Sequence, residues 1–334
     1  MKKIVLVFLP LVLLSCHKVA PEKDYIHNSG KIYGTFYNII YQHPEGKDMH
    51  EEIQQLFAEF DLSLSTFNPG SIISRINQNA DSVILDKHFL EMYQMAAYVS
   101  ALSSGAFDIT VAPLVNAWGF GFGSKEQAEE PNISEILSYT GFQKIALHDG
   151  RLIKSDPRIM LDASAIAKGQ ASDVVARFLE ENGCRNIMVE IGGEVMCMGV
   201  NSRGLPWQIG IDKPTDDPAN LEHELQAIVG ISGVGLATSG NYRQFYYKDG
   251  KKYAHTINPR TGYPVDHNLL SATVIAPTCM QADAFATAFM VLGVDSSLVI
   301  CEQVPDMECY LIYADESGNF QVKYTDGFKR YITK

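Results

Sequence analysis

From Gln281 to Gly293 the chain reads Gln-Ala-Asp-Ala-Phe-Ala-Thr-Ala-Phe-Met-Val-Leu-Gly, a helix-forming run that is apolar on almost every side. Such a helix has no face to offer water, so other elements must wrap it in a core. Its polar exceptions, Asp283 and Thr287, stand at i and i+4 and leave the helix on one face. A carboxylate in that setting needs a partner. Either Asp283 caps the helix start while Thr287 bonds back to the Asp283 carbonyl, or both oxygens belong to a hard-cation site.

Strands and amphipathic helices supply the wrapping. Residues 31–41, rich in aromatic and β-branched types, predict a strand interrupted at Gly34 by a bulge or a close ligand approach. Ile53, Leu56, Phe57 and Phe60 recur at helical spacing within 48–64. A short helix is expected around 72–76, another over 88–103 that stops at Ser104–Gly105, and an apolar one from Val111 to Trp118. Further strands are predicted at 143–147, 151–154, 158–161, 186–191, 194–200, 206–211, 225–231 and 269–276, with a helix at 165–181 among them. Gly192–Gly193 and Asp249–Gly250 suit hairpin turns. Dense, hairpin-linked strands predict an α+β fold, a mixed or mostly antiparallel sheet with helices packed on it.

Charge and the N-terminal pattern narrow the function. With a formal net charge of −12 and no basic cluster, the chain is a poor candidate for nucleic-acid binding, because phosphate contacts need a basic face. Residues 1–15 carry Lys2 and Lys3, an apolar run from Ile4 to Leu14, and Ser15 ahead of Cys16, the pattern of a bacterial lipoprotein signal peptide. Cys16 is expected to become the lipidated first residue, and residues 16–30 a flexible tether. Residues 31–334 then form the functional domain, anchored to a membrane and facing the periplasm. The other five cysteines lack CxxC spacing and read as small core residues, although a Cys301–Cys309 disulfide is conceivable in an exported chain.

Small and polar groups gather in a few places. Leu161-Asp-Ala-Ser-Ala-Ile-Ala-Lys-Gly169 lies at a strand-to-helix junction, where free amides favour an anion and Lys168 adds charge; the plainer alternative makes Ser164 an N-cap and Lys168 a solvated side chain. Two apparent loops follow, Ala237-Thr-Ser-Gly-Asn-Tyr-Arg243 and His255-Thr-Ile-Asn-Pro-Arg-Thr-Gly262. The second puts an imidazole and a guanidinium around an Asn-Pro turn, as ligand loops do. Phe67, in the turn-rich 65–71 segment, offers a face for stacking on a flat ligand.

Together, Ala106-Phe107-Asp108, the 161–169 segment, the two loops and the 282–293 helix resemble the ApbE-type flavin transferases, FAD:protein FMN transferases, in the expected order over about 31–325. The resemblance implies an enzyme that binds FAD and Mg²⁺ and moves the FMN half onto a threonine or serine hydroxyl of a target flavoprotein, releasing AMP. It implies metal ligation by Asp283, Thr287 and the carbonyl of Ala165. It implies FAD contacts at Tyr33, Phe67, Ala106, Phe107, Asp108, Asp162, Lys168 and His255, with His255 or Asp283 as the base. The family commonly has methionine where this chain has Tyr33, and tyrosine where it has Phe67. Acceptors carry Ser/Thr-Gly-Ala-Ser/Thr; Ser104-Gly105-Ala106-Phe107 fails at its last position, which argues against self-modification. A metal-dependent FAD pyrophosphatase and a non-catalytic FAD-binding lipoprotein are the alternatives.

Overall fold

A computed structural model describes residues 24–121, 131–214, 224–241, 245–248 and 251–334. The signal peptide, Cys16, most of the tether, Phe122 to Glu130, Tyr242 with Arg243, and the expected turn at Asp249–Gly250 lie outside the described residues. In chain order the elements are β1 (Ile26–Ile32), β2 (Thr35–Tyr41), α1 (His50–Leu64), α2 (Ile72–Asn77), α3 (Lys87–Leu102), α4 (Ala112–Ala117), α5 (Ile133–Tyr139), β3 (Ile145–His148) and β4 (Arg151–Lys154). There follow α6 (Ala167–Glu181), β5 (Ile187–Ile191), β6 (Glu194–Met198), β7 (Trp207–Asp212), β8 (Leu225–Ile231), β9 (Val234–Gly240), β10 (Phe245–Lys248) and β11 (Lys251–Ala254). The last are β12 (Leu269–Ala276), α7 (Cys279–Leu292), α8 (Val294–Gln303), β13 (Glu308–Ala314) and β14 (Phe320–Tyr324).

Eight strands form one sheet in the order β1-β2-β5-β6-β9-β12-β13-β14, every neighbouring pair antiparallel. Its period-two alternation separates two cores. On β12, Ala272, Val274 and Ala276 face the helices, whereas Ile275 joins Trp207, Val229 and Phe328 beneath the β7–β8 ribbon on the other face. α7 packs against β9, β12, α6, α3 and α8, so the all-apolar helix is wrapped as its composition requires. Phe285 and Phe289 are fully buried, each contributing roughly 1.5–3 kcal/mol by leaving water.

The structure departs from the sequence expectations in several places. Residues 31–41 are not one bulged strand: the chain reverses at Tyr33 (φ 52°) and Gly34 (φ 76°), and β1 begins at Ile26, within the stretch expected as tether. Ala237–Gly240 is not a loop but the end of β9, a central strand whose Thr238 hydroxyl meets Thr273 Oγ1 at 2.9 Å. Residues 158–161 form no strand. All five cysteines from Cys184 onward are free and buried, so Cys301 and Cys309 are not bridged. Among the described residues no helix is long and apolar enough to cross a membrane.

Candidate active site

The start of α7 is fixed from two sides. Thr278 is its N-cap, its side chain accepting from Gln281 N at 3.2 Å. From α6, the Asp173 carboxylate accepts the N–H groups of Cys279 and Met280, each at 2.8 Å. Neither Asp283 nor Thr287 caps the helix. Asp283 is 2% exposed, and its Oδ2 accepts the Gly169 N–H of α6 at 3.0 Å. Thr287 Oγ1 lies 3.2 Å from Ser239 Oγ of β9.

Close approach of α6 to α7 depends on Gly169. A Cβ there would stand 2.4 Å from the Cys279 carbonyl oxygen and 2.8 Å from Asp283 Cβ. Glycine to alanine within a helix ordinarily stabilises by about 1 kcal/mol. Overpacking against backbone costs about 1–3 kcal/mol and wins here, because the carbonyl cannot rotate aside. Gly169→Ala is therefore expected to lower Tm by several degrees, checked by thermal melting; a Tm at or above wild type would sink the close-packing account.

A partly exposed lysine and two buried carboxyls form one charged cluster. Lys168 Nζ is 2.9 Å from Glu194 Oε1 of β6, and Asp283 lies within the same electrostatic neighbourhood. Burial opposes the Lys168 ammonium, but the Asp283 and Glu194 carboxylates outweigh it and hold its pKa above the ordinary value. Burial raises both carboxyls, and Lys168 opposes the rise in each. Asp108, also raised by burial, spends its oxygens on Thr110 N (2.8 Å), Thr110 Oγ1 (2.7 Å) and Phe142 N (2.7 Å), which fix the Ala106–Asp108 turn. Asn77 clamps the Leu161 backbone through both its amide atoms, at 2.9 and 2.7 Å, and Asp162 N donates to Ile109 O at 2.7 Å. Ser164 is not an N-cap; its N–H donates to Asp162 Oδ1 at 2.8 Å, and α6 starts later, at Ala167.

These elements enclose a cavity of about 370 Å³, lined by Ala106, Phe107, Asp108, Asp162, Ala165, Lys168, His255, Asp283 and Thr287, all singled out in the sequence. A neighbouring hollow of about 410 Å³ is lined by Tyr33, Phe67, Phe60 and Leu64, with Ser164 and Lys168 common to both. Phe67 is 83% exposed there and open for stacking. Tyr33 instead packs on Phe57 and Phe60 and donates its hydroxyl to Phe57 O at 2.8 Å. Arg260 lines a different groove, beside Ser104 and Leu292. The turn that carries it is structural: Gly262 N donates to Asn258 O at 2.8 Å, and Trp118 Nε1 donates to Gly262 O at 2.7 Å. Thr238, Ser239 and Gly240 of the 237–243 segment also line the main cavity, as does Glu194, which was not anticipated.

The model of the ApbE family matches residues 33–311. The chain belongs to the ApbE family. Relatives named FAD:protein FMN transferase include one from Haemophilus influenzae, 37% identical over 98% of this chain and 96% of its own length. Another, from Vibrio cholerae, is 37% identical over 97% of this chain and 94% of its own. Among solved structures, the flavin transferase ApbE from Vibrio cholerae superposes with a TM-score of 0.83, at 34% identity, covering 93% of this chain and all of the other. The α+β architecture expected from the hairpin-linked strands is thus an ApbE fold.

For an ApbE chain, the donor set suits a small hard cation. Asp283, Thr287 and Ala165 line one cavity and offer carboxylate, hydroxyl and carbonyl oxygens, the ligands Mg²⁺ prefers. Among the described residues, no group of three or more His, Cys, Asp or Glu side chains is placed to hold a metal ion by itself.

Proposed function

We propose that this protein transfers the FMN moiety of FAD to a threonine or serine hydroxyl of a target flavoprotein through a phosphoester bond, in a Mg²⁺-dependent reaction that releases AMP. The observation that carries this is the pairing of cavities. A charged one, with Asp283, Thr287 and Lys168, joins an apolar one with an exposed aromatic face, and the two meet at Ser164 and Lys168. FAD has the matching shape, a flat ring linked to a pyrophosphate. The ring would stack on Phe67 in the hollow, and the pyrophosphate would lie in the cavity near Lys168.

Asp283, Thr287 and the Ala165 carbonyl would hold Mg²⁺, which when bound supplies positive charge against the pyrophosphate and the leaving phosphate. The acceptor oxygen attacks the FMN-side phosphorus while the bond from that phosphorus to the AMP oxygen breaks. The hydroxyl proton passes to His255, which lines the same cavity. Lys168 offsets charge on the phosphates, and Gly169 N–H orients the carboxylate of Asp283. The acceptor is a flavoprotein with a Ser/Thr-Gly-Ala-Ser/Thr motif. Lipidation at Cys16 anchors the enzyme to a bacterial membrane with this domain outside the cytoplasm.

The test is to incubate the full chain, in detergent, with FAD, Mg²⁺ and a domain bearing the acceptor motif. Flavin fluorescence that survives denaturing electrophoresis, accompanied by AMP and abolished by EDTA, is the expected result. Free FMN with an unlabelled acceptor would replace the transferase by a pyrophosphatase, and bound FAD left intact would point to a carrier.

A further inference from the structure

Glu194 opens β6 directly after the Gly192–Gly193 turn and is 5% exposed. One oxygen, Oε1, is 2.9 Å from Lys168 Nζ; the other, Oε2, is buried without a hydrogen-bond partner, although the side chain lines the cavity. A buried carboxylate oxygen left without a donor is costly, and the Glu194 side chain borders the cavity that a ligand would fill.

The chemistry of FAD and the layout of the two cavities select that donor. Phosphates carry only acceptors at neutral pH and are repelled by a carboxylate, so the pyrophosphate cannot satisfy Oε2. The charged cavity meets the aromatic hollow at Ser164 and Lys168, and Glu194 holds Lys168 at that junction. If the ring occupies the hollow and the pyrophosphate the cavity, the segment crossing the junction is the ribityl chain, which bears hydroxyl donors. We propose that Glu194 Oε2 accepts a hydrogen bond from a ribityl hydroxyl of FAD, making Glu194 a specificity-determining residue that distinguishes a polyol linker from a bare one. This rests on the FAD assignment above. Gly192 supports the arrangement: a Cβ there would press on Lys168 Cδ at 3.2 Å and on Thr35.

The experiment measures binding by quenching of flavin fluorescence, with FAD and with an FAD analogue whose linker is a hydroxyl-free pentyl chain. The full chain is compared with Glu194→Ala and Glu194→Gln, each shown to be folded by circular dichroism. Wild type is expected to prefer FAD by roughly tenfold or more, as for a hydrogen bond to a charged group. Glu194→Ala should bring the ratio close to one. Glu194→Gln, which presents a different group on an unchanged frame, should lower it as well, and serves if the alanine variant does not fold. A ratio that survives in the variants, with both affinities falling together, would show that Glu194 only positions Lys168 and would overturn the proposal. No preference in wild type would overturn it too, while the FAD assignment would stand as long as both flavins bind. Failure of wild type to bind either flavin would remove the FAD assignment itself, and the proposal with it.

Discussion

Asp283→Asn is expected to reduce flavin transfer by about a thousandfold or more, the factor that follows from losing several kcal/mol of metal-borne charge stabilisation. Asparagine is the sharper probe than alanine because its carbonyl can still accept the Gly169 N–H that Asp283 Oδ2 now receives at 3.0 Å. The carboxylate is buried, so replacing it by a neutral isostere also removes a desolvation penalty, while Lys168 keeps Glu194 as a partner. These opposing terms predict a Tm close to wild type for Asn. Alanine leaves the Gly169 N–H without an acceptor and should lose about 1–3 kcal/mol, with the fold retained. Calorimetric titration with Mg²⁺ in the presence of FAD should show weakened binding for both variants. Normal transfer by Asp283→Asn would remove Asp283 from the proposed metal site.

How far the site could be seen in the sequence depends on whether a residue's role was local. Asp283 and Thr287 were legible because a helix apolar on all sides makes any polar residue on it conspicuous, and i,i+4 spacing puts them on one face. The alternative that Asp283 caps this helix failed because α7 starts at Cys279, with Thr278 and Asp173 taking its first amides. Lys168 was legible as a charge near a helix start, but its partner was not. Glu194 is a single acid beside Val-Met-Cys-Met, which reads locally as the exposed start of a strand; only the packing of α6 on β6 brings it to Lys168. β9 was hidden for a similar reason. Ala-Thr-Ser-Gly has the composition of a turn, yet its pairing with Ser271 to Val274 of β12 holds it extended, and tertiary context overrides propensity. At Tyr33–Gly34 the error ran the other way: an aromatic run that looked continuous turns back through two positive φ angles.

His255→Ala should lower the rate of transfer by about a hundredfold to ten-thousandfold, the range typical of a lost general base. Two candidates border the same cavity, and their surroundings separate them. Asp283 has one oxygen committed to Gly169 N–H and is the only carboxylate in the oxygen set suited to Mg²⁺, and a carboxylate next to a cation is a poor proton acceptor. His255 follows β11 in a segment braced by Thr256, whose hydroxyl donates to Asn241 Oδ1 at 2.7 Å and whose carbonyl accepts Val265 N at 3.0 Å. Its ring stands edge-on to Phe120, with centroids 6.4 Å apart. A base acts on the chemical step, whereas a residue that merely contacts FAD acts on binding, so the two roles divide between kcat and flavin affinity. The expected pattern is a large fall in kcat, fluorescence-measured FAD affinity within a few-fold of wild type, and partial recovery when free imidazole is added. A loss confined to FAD affinity would make His255 a binding residue alone, and near-normal kcat would leave the acceptor proton to a group other than this imidazole.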